Sequence, residues 1–358
     1  MTLTNDRGAA VPAPGPTAER APELPPPRGP LSAAVLAYLR GARHPLPGPE
    51  AIAAAPPLGD DVQLALYLCY ELHYRGFAEV PDTLEWDPDL LRVRGGLEQH
   101  MLADLRAHAT RHAHAHDALD ELLMEPADGE GLSHLLSEKG ELWQLREYAA
   151  HRSIYHLKEA DPHAWVLPRL HGRPKAGMAA IEFDEFGGGR ADRIHARLFA
   201  DLMADLGLVT DYGHYLDAAS AEALALVNQM SLFGLHRSLR GALVGHFATV
   251  ETTSSPGSRR LAHALRRVGA GERAVFFYDE HVEADAVHEQ VVRHEVVDGL
   301  LAQDPGLDAD IAFGVDATGY LEDRFGGTLW AAWEAGESSL RTVSSLRAVS
   351  PSHLGSPA

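Results

Sequence analysis

AVFFYDEHVEADAVHEQVVRHEVVDGLLAQ, residues 274–303, is the stretch that decides the reading of this chain. Apolar residues recur in it at three- and four-residue spacing, the period of a helix with one buried face. Within it, HVEADAVH places His281, Asp285 and His288 at i, i+4 and i+7. On a helix these positions share a face. The apolar run Val275 to Tyr278 comes one turn earlier, so the triplet is expected on a buried helix. A buried carboxylate flanked by two imidazoles is costly unless something binds there. Two histidines and a carboxylate suit iron or a similar divalent ion.

The same period runs outward through the rest of the chain. It appears in LSAAVLAYLRGA (31–42), DDVQLALYLCYELHYRGF (60–77) and the segments at residues 90–123, 131–160, 178–186, 190–207, 220–254 and 255–270. Strand signals are sparse, and no glycine-rich phosphate loop follows a strand. The expected fold class is all-α, a helical bundle carrying the site with additional helices N-terminal to it. The expected domains are a disordered Pro/Ala-rich leader (1–30), an N-terminal helical region packed on the core (31–140), a metal-binding bundle (141–335) and a flexible tail (336–358).

Composition narrows the function. Fifty-one acidic residues against 31 basic ones give a formal charge of -20 over 358 residues. That argues against nucleic acid or an anionic membrane as partner, since phosphate recognition needs a positive surface. No apolar run approaches the roughly 20 residues that span a bilayer, and no secretory signal is visible. The single cysteine, Cys69, excludes an internal disulfide and fits a reducing cytoplasm. Its setting in LALYLCY reads as a core thiol.

One helix with two histidines and one carboxylate leaves a metal incompletely coordinated, so further ligands are expected on other apolar segments. Glu185 and His195 flank FGGGRADRI, whose glycines would break a helix and still let both side chains face one pocket; the bland alternative is an ordinary loop. Glu159 closes the helix expected to end in HRSIYHLKEA, where the helix dipole disfavours an anion unless a cation is near. Glu251 follows ALVGHFATV at an expected helix end before TTSSPGS. For both, a solvated helix terminus is the competing reading. The seven residues together offer four carboxylates and three imidazoles, a set that suits two carboxylate-bridged irons. The chain contains no Glu-x-x-His, so a ferritin-type centre is excluded.

Other histidines invite a metal reading. RAHATRHAHAHD (106–117) puts His108, His112 and His116 at i, i+4 and i+8, but small and polar residues surround them, and a solvated helix face is expected. Glu71 and His73 lie on different faces of their helix and are expected to order the N-terminal helices or line an entrance.

The His-x3-Asp-x2-His element at 281–288 resembles that of the haem-oxygenase-like di-iron oxidases, the iron-containing redox enzymes. LKEADPHAWVLPRL (157–170), FDEFGGGRADRIHARLF (183–199) and ALYLCYELHYRGF (65–77) are similar to segments of that family, and the likeness runs from about residue 60 to 330. The resemblance implies a haem-oxygenase-like helical bundle that binds two ferrous ions in place of haem. It implies His281, Asp285, His288, Glu185 and His195 as ligands. Glu159 matches the earlier carboxylate, with Asp161 and His163 close enough to serve instead, and Glu251 matches the carboxylate of the intervening helix. It implies dioxygen-dependent oxidation of a small amino-acid-derived or fatty-acid-like substrate, by N-oxygenation, oxidative C–C cleavage or decarboxylation. An external electron donor and a homodimer are further expectations. A non-catalytic metal-binding protein using the histidine-rich tract, and a thiaminase-type hydrolase on the same scaffold, are the alternatives.

Overall fold

The computed structural model of the protein describes residues 21–42, 45–124 and 131–341. Most of the expected leader (1–20) and tail (342–358) lies outside them. The described end of that leader packs on the protein: Pro22 and Pro25 are buried, and Arg28 bonds Asp60 and the carbonyls of Leu216 and Ala219.

The fold is all-α. The N-terminal part comprises α1 (Pro30–Leu39), α2 (Pro49–Ala53), α3 (Asp60–Glu71), α4 (Pro88–His108), α5 (Ala115–Leu123) and α6 (Leu132–Lys139). The bundle that follows comprises α7 (Leu142–His156), α8 (Asp161–Ala164), α9 (Gly172–Glu185), α10 (His195–Asp205), α11 (Ala221–Leu235), α12 (Arg240–Arg267), α13 (Glu272–Val291), α14 (Asp298–Gln303) and α15 (Asp308–Glu334). At the centre α12 packs along both α13 and α15, α10 closes on α7 and α13, and α9 lies across the segment after α13. The N-terminal helices dock from outside, α3 on α11, and α4 and α5 on α15.

The α12–α15 crossing brings backbone against backbone. A Cβ at Gly245 would run into the carbonyl of Ile311, and one at Gly314 into the carbonyl of Ala242. Only glycine fits at such an approach.

Three helix boundaries differ from the sequence reading. The long segment from 220 breaks at His236, where a 3-10 turn (Arg237–Leu239) separates α11 from α12. TTSSPGS does not end a helix: α12 continues to Arg267 with Pro256 inside it. Proline removes one backbone donor and clashes with the preceding turn, but burial of α12 against both neighbours carries the helix across. Glu251 therefore sits mid-helix. And α7 stops at His156, so Glu159 lies in the turn beyond it.

Candidate metal centre

The α13 face carries the first half of the site. His281, Asp285 and His288 are all buried on it, as their spacing requires. His281 donates Nδ1–H to the carbonyl of Phe277 one turn back, at 2.7 Å, which leaves Nε2 turned towards Glu159 Oε1 at 3.9 Å. His288 presents Nδ1 to Glu251 Oε2 at 3.2 Å and Glu185 Oε1 at 3.8 Å, while Nε2 meets Asp184 Oδ2 at 3.3 Å. Each imidazole thus has one nitrogen held from outside and the other facing inward. That is how protein groups orient metal-binding histidines.

The other half comes from α9, α10, α12 and the turn after α7. Glu185 is the last residue of α9 and His195 the first of α10. Between them Gly187, Gly188 and Gly189 are all left-handed, with φ of 73°, 61° and 80°. A Cβ at Gly187 would lie 2.7 Å from the Arg193–Ile194 peptide. The glycines fold the chain back on itself until His195 Nδ1 reaches Glu185 Oε2 at 2.8 Å.

Two clusters of buried ligand atoms result. Glu159, Glu185, His195 and His281 form one; Glu185, Glu251 and His288 form the other, with atoms inside each cluster within 4.8 Å of one another. Glu185 belongs to both. Asp285 falls outside both groups although it is buried beside them, its Oδ1 3.5 Å from His288 Nδ1. Asp161 and His163 are in neither group, so Glu159 is the residue of that segment brought to the cluster.

Electrostatics show how poorly this set stands alone. Against the burial that disfavours its charge, the Glu159 carboxylate, helped by Asp285 and Glu185, holds the His281 imidazolium up to about 10. Asp285, Glu251 and Glu185 likewise outweigh burial and hold His288 up to about 11. Burial, with the neighbouring charges of Asp285 and Glu185, pushes Glu251 up to about 8. Glu159 Oε2 and Asp285 Oδ2 are buried without a hydrogen-bond partner, and His195 Nδ1 makes no hydrogen bond although Glu185 Oε2 is 2.8 Å away. Orphaned buried acceptors cost free energy, and a cation between them would satisfy all three. An oxygen-rich set with imidazole fits iron.

Residues 146–323 match the model of the iron-containing redox enzymes, which spans all seven ligand candidates. The chain belongs to this family. No curated protein matches it. The match begins within α7 and ends within α15, so it covers the bundle, a narrower span than the resemblance suggested.

Three side chains beside these clusters escape a reading of the sequence. Glu182, one turn before Glu185, is 2% exposed with neither oxygen partnered. Burial, then the charges of Glu185 and Glu251, pushes it up to about 9, so it carries a proton at neutral pH. Its only signal was the Glu-x-x-Glu spacing in α9. His156 stands 3.5 Å from Glu159 Oε1, edge-to-face against Phe199, and burial brings it down to about 4. Asp184, beside His288, gave no signal.

The histidine-rich tract is not one helix. His108 ends α4, His112 lies in the following loop and His116 is in α5. His108, His114 and His116 are exposed, in keeping with the expected solvation, and carboxylates also meet the tract: Asp316 and Glu121 bond His112, Asp308 bonds His114, and Asp298 pairs with His116. The tract helps dock α5 on α15. Cys69 is buried and burial pushes its thiol up to about 12, which leaves it unreactive. No helix among the described residues is long and apolar enough to cross a membrane.

Proposed function

We propose that the chain is a non-haem di-iron oxidase or oxygenase that uses dioxygen to oxidise a small metabolite. The observation that carries this reading is Glu185, shared by two buried ligand clusters as a bridging carboxylate would be. Glu159, Glu185, His195 and His281 would hold one iron; Glu185, Glu251 and His288, with Asp285 beside them, would hold the other. Bound ferrous iron supplies the electrons and open coordination positions that dioxygen reduction needs.

The chain's own groups do the rest. The Phe277 carbonyl and Asp184 fix the two α13 imidazoles, and Phe199 and Phe277 pack around His156 to keep water from the Glu159 side. Glu182 holds a proton in the dry interior beside Glu185 and Glu251, where it can be given to a basic oxygen. Within this reading the substrate is amino-acid-derived or fatty-acid-like, the reaction N-oxygenation or oxidative C–C cleavage, and electrons for turnover come from an external donor.

The hydrolase alternative needs a cysteine nucleophile, and Cys69 is the wrong thiol in the wrong place. The non-catalytic metal-binding alternative needs ligand atoms gathered at 108–116, and among the described residues the groups that could hold a metal lie elsewhere. Anaerobic ferrous titration followed by rapid mixing with oxygenated buffer tests the proposal. About two irons per chain and a transient visible absorption are expected. Iron binding that survives loss of both His281 and His288 would overturn it.

A further inference from the structure

The turn that carries Glu159 has no regular structure of its own to hold it. It runs from Leu157 to Ala160 between α7 and α8, and Ala160 is left-handed at φ 73°, a conformation that costs any residue with a Cβ. Such backbone persists only where its surroundings over-determine it. Here the residues on either side of Glu159 are both anchored in the core.

Before it, Lys158 is 1% exposed and points away from the ligand cluster. Its Nζ lies 2.8 Å from Glu71 Oε2 and over the rings of Tyr74 and Tyr67 at 4.2 and 4.9 Å. Glu71 is fully buried, accepts the Tyr212 hydroxyl at 2.7 Å, and ends α3 in the N-terminal region. After it, Ala160 donates its N–H to the Tyr155 hydroxyl. Thr318 gives its proton to the Gly314 carbonyl, so it accepts from His246 Nδ1. The neutral His246 then accepts at Nε2 from His163 Nε2, 3.1 Å away, and His163 Nδ1 is left to accept from Tyr155. The turn is tied on one side to α3 and on the other, through this chain, to α12 and α15.

We infer that Lys158 and Glu71 are positioning residues for Glu159: their buried ion pair holds the turn so that the Glu159 carboxylate reaches the first ligand cluster. The inference rests on the two-iron reading, in which Glu159 serves only one of the two clusters. It gives the N-terminal helices, outside the span of the family match, a part in assembling the centre.

The test is anaerobic titration with ferrous ion alone of the wild type, Glu159→Gln, Lys158→Met and the double variant Lys158→Met/Glu71→Gln. Lys158→Met by itself strands the Glu71 carboxylate in the core and is expected to fold poorly. The double variant removes both charges, which buried pairs tolerate, and is expected to melt cooperatively. In it, one iron equivalent weakens about 10- to 100-fold, the usual effect of losing a group that orients a ligand. The weakened equivalent is the one Glu159→Gln removes, and the other keeps wild-type affinity. A folded double variant that binds both irons as the wild type does, or weakens both equally, overturns the inference. A wild type that takes a single iron instead rejects the two-iron reading, and the clamp then stands or falls on whether the double variant weakens that iron as Glu159→Gln does.

Discussion

Glu159 and the α13 triplet reach the proposed centre by opposite means. On α13 a single helix supplies His281, Asp285 and His288 through spacing alone, and the backbone hydrogen bonds of the helix set their geometry. Glu159 sits on a four-residue turn with a left-handed alanine, and side chains from α3, α12 and α15 define where it points. The helix does carry its own irregularity: α13 runs straight into a π-helical segment, Val292–Val297, packed against α9. Segments of this kind are frequent at functional sites. The difference teaches that periodicity can write a ligand into a sequence, whereas a turn depends on distant partners.

The comparison is broken most severely from the helix side. Replacing His281 and His288 together by alanine removes a ligand from each cluster, and iron binding at both sites is expected to vanish. Equilibrium dialysis with ferrous ion checks this. Retention of either iron would mean that α13 does not span both sites.

A smaller and graded effect comes from pH. In the metal-free protein Glu251 and the two α13 histidines bind protons more tightly than in the unfolded chain. Raised values stabilise the fold fully below the unfolded pKa, and the gain is lost as pH climbs through the folded one. For Glu251 that window runs from its ordinary value of 4.5 to about 8, and for the histidines from 6.5 to about 10 and about 11. Glu159, held down to about 2 against its burial by His156 and His281, is charged throughout this range and opposes nothing there. The metal-free protein should therefore lose stability as pH rises from 6 to 8. Metal must displace the same protons, so its stabilising effect should grow over that interval. Thermal melts with and without Mn²⁺ across this range would show the two curves diverging. Parallel curves would mean that these groups do not meet the metal.

The smallest effect sharpens the turn side. Ala160→Gly relieves the left-handed strain, a gain of about 1 kcal/mol that greater freedom of the unfolded chain partly offsets. A melting temperature unchanged or slightly higher, with iron affinity unchanged, is expected if the anchors rather than Ala160 define the turn. A marked fall in iron affinity would assign that role to Ala160.

How much of this could be read from residues follows the same division. The all-α fold and the α13 triplet were legible because a 3.6-residue period is local. The Glu185–His195 pairing was half legible: the three glycines announced a break, but only the fold shows it closing on itself. Helix ends were harder. Pro256 read as a terminus because the packing of α12 against two helices is invisible locally, and the same blindness put Glu159 inside α7. The partners of Lys158 and of the histidine tract, 87 and about 200 residues away, left no local signal at all. Glu182 was hidden for a different reason: an acidic residue within a helix ordinarily faces solvent, and this one faces a cluster of other carboxylates.

The most direct test of a shared centre is a crystal structure of anaerobically iron-loaded protein with anomalous data at the iron edge. The account predicts two iron peaks about 3.5–4 Å apart, both within bonding distance of Glu185, with Glu159 on one iron only. A single peak, or iron at residues 108–116 instead, would contradict it.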